Sequence, residues 1–128
     1  EGRADITPEK IAINLDHARI PDNAGNMPNN FEIISGGADG LFSTLPIDQI
    51  VEKLKSAGIP ASLSYSAGTF VCNHLFYSIQ NYCKEKSIQS GFVHVPLMDS
   101  QASEFPGLPT MPLNQMVEAT KIIIGILQ

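Results

Sequence analysis

Apolar positions along this chain follow two rhythms. "KIAINL" (residues 10–15) is a short apolar run before a turn-rich segment, the pattern of a buried strand, and "FEII" (31–34) repeats it before Ser35-Gly36-Gly37. Between them, residues 16–30 contain two Pro, one Gly and four Asn. That composition predicts a long loop, and compact domains seldom keep one without a function. The rhythm then changes. Ile47, Ile50, Val51, Leu54 and Ala57 recur at helical spacing, with Pro46 suited to the first turn and Gly58 to the stop. "ASLSY" (61–65) predicts a strand, 66–69 a turn, and 70–84 a second helix. "SGFVHVP" (90–96) predicts a strand ended by Pro96. Residues 96–112 hold four prolines and read as an irregular loop. The last element, 113–128, is a helix with Leu113, Met116, Val117, Thr120, Ile123, Ile124 and Leu127 expected on one face.

Strands alternating with helices point to an α/β fold, a three-layer α/β/α arrangement with a mostly parallel central sheet. Ligands of such sheets bind at the carboxyl ends of strands. Three places qualify: the loop after Leu15, the turn after Tyr65, and the neighbourhood of His94.

Composition narrows the picture. A length of 128 residues suits one domain spanning 1–128, and 43 % apolar with 16 % charged residues is a globular balance. Eight Lys plus Arg against thirteen Asp plus Glu give a net charge of −5 with no basic run, which argues against nucleic acid as a partner. The apolar stretch at 122–127 is too short to span a bilayer, so no membrane association is expected. Nothing at the start reads as a signal peptide, and a cytoplasmic location is expected. Cys72 and Cys83, near the two ends of one predicted helix, do not read as a disulfide framework. The chain opens "EGRADITPEK", without Met and without a strand ahead of it, as a fragment or a processed product would.

The cysteines raise the question of chemistry. Cys72 follows a Ser-Ala-Gly-Thr turn and falls in the first turn of its helix. Unpaired N–H groups there stabilise a thiolate, the nucleophilic form of cysteine, and can also serve as an oxyanion hole. A nearby histidine could take the proton. The competing reading is a small apolar cysteine in a helix's first turn. Cys83 reads as structural, His74 as a packing or capping residue, and His17 as a solvated loop residue. His94 interrupts the apolar strand Phe92-Val93-His94-Val95, where a polar group needs a reason. It is either catalytic or a satisfied core histidine. Cys72-x-His74 lacks a second ligand pair, so no metal is expected, and no nucleotide-binding glycine motif occurs.

Taken together, "SAGTFVCNH", "GFVHVP" and "ITPEKIAINLDHARIPDN" resemble the pyroglutamyl peptidase I family of cysteine peptidases, in the family's order. The resemblance runs through nearly all of the chain and corresponds to the C-terminal two-thirds of a family member, which implies that the N-terminal strand region of the fold is missing from this chain. It implies removal of N-terminal pyroglutamate from peptides through an acyl-enzyme, without metal or organic cofactor. By resemblance, Cys72 matches the nucleophile, His94 the general base and acid, and Glu9 the third triad member. Arg19 matches an arginine near the oxyanion, Asp22 a neighbouring acid, and Phe70 and Val71 the border of the lactam-ring pocket. His17 stands where an acidic residue is common. The family implies a homotetramer. Two other readings remain at this point: an inactive fragment or non-catalytic member that binds partners or assembles, and a nucleoside phosphorylase, for which no phosphate-binding motif is present.

Overall fold

The computed structural model describes residues 3–128. In chain order the elements are β1 (Thr7–Pro8), β2 (Ile11–Ile13), β3 (Asp16–His17), β4 (Asn29–Phe31), β5 (Gly40–Phe42), α1 (Ile47–Ser56), α2 (Val71–Glu85), β6 (Val93–His94), β7 (Leu97–Met98), β8 (Thr110–Met111) and α3 (Leu113–Ile126). They form two compact units. The first comprises residues 3–8, 45–64 and 93–128, and the second residues 9–44 and 65–92.

In the first unit, residues 6–8 run between two neighbours. On one side β1 pairs antiparallel with β6, Thr7 opposite His94 and Pro8 opposite Val93. On the other side the pairing is parallel. Ile6 N–H donates to the Pro60 carbonyl at 3.0 Å, Ser62 N–H to Ile6 at 3.1 Å and Ser64 N–H to Pro8 at 3.1 Å. Pro8 has no N–H to return to this ladder. The expected strand 61–65 is accordingly reduced to isolated pairing at Ala61 and Ser64.

α1 forms as its spacing predicts and buries Ile47, Ile50, Val51 and Leu54, though Ala57 stays exposed at its end. Ile59 N–H donates to the Leu54 carbonyl at 2.9 Å and Gly58 N–H to Lys55 at 3.0 Å, a Schellman stop. Gly58 has φ +74, a left-handed conformation that side chains resist. Ile50 and Leu54 pack with Ile6, Met111 and Met116 in one cluster. Burial of each such side chain contributes about 1.5–3 kcal/mol.

α3 turns a different face to this cluster from the one expected. Met116 and Ala119 are buried, with Ile122, Ile123 and Ile126 beside them, while Leu113, Val117 and Ile124 are exposed. The helix carries apolar residues on most of its sides, so spacing alone cannot choose the buried face. The proline-rich segment before it is less irregular than expected. Its ends pair as the parallel strands β7 and β8, with a 3-10 turn at Asp99–Gln101 between them.

In the second unit, β2 pairs antiparallel with β5, Ala12 opposite Leu41. β3 pairs antiparallel with β4, with an irregularity between Asp16 and His17. The expected long loop 16–30 is thus tied at both ends, and the strand expected at 31–34 lies at Asn29–Phe31 instead. Residue 34 is diverted by a side chain. Asn14 Oδ1 accepts from Ile34 N–H at 2.9 Å and Asn14 Nδ2 donates to its carbonyl at 2.8 Å, so neither group is left for a ladder. α2 packs on β2 and β5, and Phe76 and Tyr77 fill the core with Ala12 and Leu41. Tyr77 Oη donates to the Ala38 carbonyl at 2.6 Å, and Gln80 Nε2 to Phe42 at 2.6 Å.

The α/β class holds. Among the described residues, β7–β8 and the Ile6–Ala61 bridge are parallel, and the other three named strand pairs are antiparallel. The β2–β5 and β3–β4 connections contain no helix, and only a crossover returns a chain parallel to itself. No helix among the described residues is long and apolar enough to cross a membrane.

Candidate active site

The turn after Tyr65 is built to deliver a cysteine into a helix's first turn. Gly68 takes φ +78, and its N–H donates to Ser66 Oγ at 3.1 Å. Phe70 is extended, α2 starts at Val71, and His74 N–H donates to the Phe70 carbonyl at 3.0 Å. Cys72 is therefore the second helical residue. N–H groups at this position have no acceptor within the helix and favour negative charge nearby. Cys72 is partly exposed, Cys83 is buried farther along α2, and both are free thiols.

The flanks of Cys72 are fastened to one stretch of chain. On the upstream side, Thr69 Oγ1 donates to the His17 carbonyl at 2.9 Å, and His17 N–H donates to the Thr69 carbonyl at 2.9 Å. On the downstream side, Asn73 Oδ1 accepts from Ile13 N–H at 3.0 Å. Its Nδ2 donates to the Ile13 and Leu15 carbonyls at 2.9 and 3.0 Å. His74 Nδ1 meets Asp16 Oδ2 at 2.6 Å.

Among the residues implicated by the sequence, Glu9, Arg19, Asp22, Phe70, Val71 and Cys72 belong to the second unit, and His94 to the first. Glu9 is 0 % exposed. Acids are almost never fully buried unless they are paired. The Glu9 N–H donates to the Phe92 carbonyl at 2.9 Å. His94 sits in β6 opposite Thr7, partly buried. Arg19 is exposed in the β3–β4 loop.

Asp22, in the same loop, organises it. Its Oδ1 accepts from the N–H groups of Ala24 and Asn26 at 2.9 and 2.8 Å, and Gly25 N–H reaches its carbonyl at 3.0 Å. These donors, Asn26 foremost, hold its carboxyl below the usual carboxylate range.

Phe70, Val71 and Asp22 come together around a pocket of about 520 Å³ that Asp16, Phe31 and His74 also line. Glu9, Arg19 and Cys72 are not among its lining residues. Sequence reasoning missed Asp16, Asn73 and Phe31 and took His74 for a packing or capping residue. One signal pointed to Asn73: it falls in register with Phe76, Tyr77, Gln80 and Cys83 on the buried face of α2, where an amide needs partners.

Comparison with known proteins agrees with the motifs. The family model described as pyroglutamyl peptidase matches residues 1–128. The pyrrolidone-carboxylate peptidase of Vibrio parahaemolyticus is 51 % identical over 125 residues, covering 98 % of this chain and 58 % of the relative. That of Bacillus cereus is 47 % identical over 127 residues, covering 98 % and 59 %. The crystal structure of pyroglutamyl peptidase I from Bacillus amyloliquefaciens superposes with TM-score 0.92 at 45 % identity, over 98 % of this chain and 60 % of that one. A mutant pyrrolidone carboxyl peptidase from Pyrococcus furiosus does so with TM-score 0.92 at 38 % identity, over 98 % and 63 %. The chain thus spans somewhat under two-thirds of the length of these relatives. With a match across its whole length and half its residues identical to a named relative, the chain belongs to the pyroglutamyl peptidase family.

Proposed function

We propose that this chain carries the catalytic residues of a cysteine exopeptidase that removes pyroglutamate from the N-termini of peptides. The observation that carries the reading is the placement of Cys72: second residue of α2, partly exposed, directly after Phe70 and Val71, in a chain of this family. In the proposed reaction the Cys72 thiolate attacks the pyroglutamyl carbonyl carbon. The oxygen takes up negative charge and is stabilised by first-turn N–H groups and by Arg19. Protonated His94 gives its proton to the departing peptide amine as the C–N bond breaks, which leaves a thioester on Cys72. His94 then removes a proton from water, the hydroxide attacks the thioester, and free pyroglutamate leaves as the thiol is restored. Glu9 orients His94 and stabilises its imidazolium. Asp22 supports the Arg19 loop, and Phe70 and Val71 border the lactam ring. A ring offering both N–H and C=O is distinguished from one lacking them by polar groups left unpaired in the wrong complex.

Residues 1–128 act in this proposal as a single α/β peptidase domain. Two free thiols support a cytoplasmic setting. Exposed Leu113, Val117 and Ile124 on α3 support self-association, as a homotetramer.

The test uses the protein expressed from its own gene, with hydrolysis of pyroglutamyl-7-amido-4-methylcoumarin as the readout. Cys72→Ser is expected to abolish turnover while the circular dichroism spectrum is unchanged. Turnover near that of the unaltered protein would remove Cys72 from the nucleophile's role.

A further inference from the structure

The residue after the cysteine makes more contacts than its position requires. Asn73 is 1 % exposed, and both hydrogens and the oxygen of its amide are engaged with backbone of residues 13 and 15. The arrangement has one orientation only, since a flipped amide would oppose oxygen to two carbonyls and nitrogen to an N–H. Packing does not demand it. The neighbouring buried positions of this face hold Phe76, Tyr77, Gln80 and Cys83, and an apolar side chain at 73 would fill the space but leave the Ile13 N–H without this acceptor.

We propose that Asn73 is a positioning residue for catalysis. By gripping Ile13 and Leu15 it fixes the first turn of α2, and with it the Cys72 sulfur, against the segment that runs through Asp16 and His17 into the Arg19 loop. The inference rests on the reading of Cys72 as nucleophile. Two further observations localise the effect. Thr69 holds the opposite flank of Cys72 to His17, so the cysteine stands between two attachments to the same segment. Farther along α2, Phe76 and Tyr77 are buried and Gln80 donates to the Phe42 carbonyl, so the helix stays docked when its first turn is released. A nucleophile displaced by 1 Å loses about 100-fold in rate.

The experiment combines kinetics with thiol labelling in the protein expressed from its own gene. Asn73→Ser shortens the grip. Asn73→Asp keeps its size and the acceptor for Ile13 N–H but turns an oxygen toward two carbonyls. Thr69→Val is milder and removes only one hydroxyl. Each variant is expected to lower kcat, the first two by on the order of 100-fold, with KM little changed. Iodoacetamide labelling, read at each cysteine by peptide mass spectrometry, is expected to slow at Cys72 while Cys83 stays protected. Gln80→Leu is expected to lower the melting temperature and leave kcat intact.

Unaltered kcat and Cys72 labelling in Asn73→Asp and Thr69→Val overturn the proposal. So does faster labelling of Cys83 in every folded variant, which marks general loosening. Labelling reports the grip without any peptidase turnover. An active Cys72→Ser protein would therefore defeat the catalytic reading, whereas unchanged labelling would defeat the positioning role.

Discussion

His74 Nδ1 and Asp16 Oδ2 stand 2.6 Å apart and join α2 to β3. A carboxylate only accepts, so the ring carries a proton on Nδ1 in either charge state, and the neutral ring has Nε2 as its acceptor. Nitrogen-15 NMR of the histidine rings is expected to show this single tautomer for His74, and Asp16→Ala to give a mixture. His74 is about half exposed, and such pairs contribute roughly 0–1 kcal/mol, so the melting temperature should barely move. A drop of several degrees would show that Asp16 supports more than this ring.

Cys83 is expected to be dispensable for chemistry and useful for stability. It is buried within α2, and a serine hydroxyl there costs roughly 1–3 kcal/mol unless it finds a partner. Cys83→Ser should melt at lower temperature and keep its kcat. Loss of turnover in a folded Cys83→Ser protein would mean the wrong thiol has been assigned.

Tyr77 links stability to alkaline pH. Burial, followed by the charges of Asp39 and Glu32, raises its phenol above the ordinary 10.0. The folded state therefore holds the proton more tightly than the unfolded chain. This contribution is fully present below about pH 10 and is lost as pH rises through the folded value. Urea midpoints measured from pH 8 to 11 should fall more steeply for the unaltered protein than for Tyr77→Phe. Parallel curves would contradict the assignment.

Asp22 works in the opposite direction. Its carboxyl is lowered from 3.8 by donors in its own loop, so its stabilising effect is present above that value and lost as pH falls toward the folded value. Amide exchange at Ala24 and Asn26 is expected to accelerate in Asp22→Ala at neutral pH. Unchanged exchange would mean that the loop does not depend on this carboxylate.

Gly58 tests the stop of α1. At φ +74, an alanine costs roughly 1–2 kcal/mol, although its Cβ would meet open space. Gly58→Ala should lower the melting temperature by several degrees without affecting activity. No change would show that the backbone can end the helix another way.

What could be read from the sequence was whatever depends on local spacing. α1 and α2 appear where apolar periodicity and end signals put them, because Ile47, Ile50 and Leu54 each need only a helix and one apolar neighbour. The turn before Cys72 was legible for the same reason. Pairing was not. β5 is three residues led by a glycine and carries no rhythm, and β1 contains a proline. The diversion of Ile34 depends on Asn14, twenty residues away. The motifs led to the family, but neither the grip of Asn73 nor the Asp16–His74 pair could be inferred, because both partners are named only once the chain has folded.

The fastening of the Cys72 turn also bears on the order in which the molecule comes together. α2 can begin to form from neighbours in sequence, but the bonds that secure its first turn join residues separated by 58 to 60 positions. Closing a loop of that length carries an entropic cost of about 3–4 kcal/mol before any contact is made. Contacts of such range tend to form late in folding. A nascent or partly unfolded chain then carries Cys72 on a fraying helix end, and the proposed nucleophile is held in place only once residues 13–17 have been put in place.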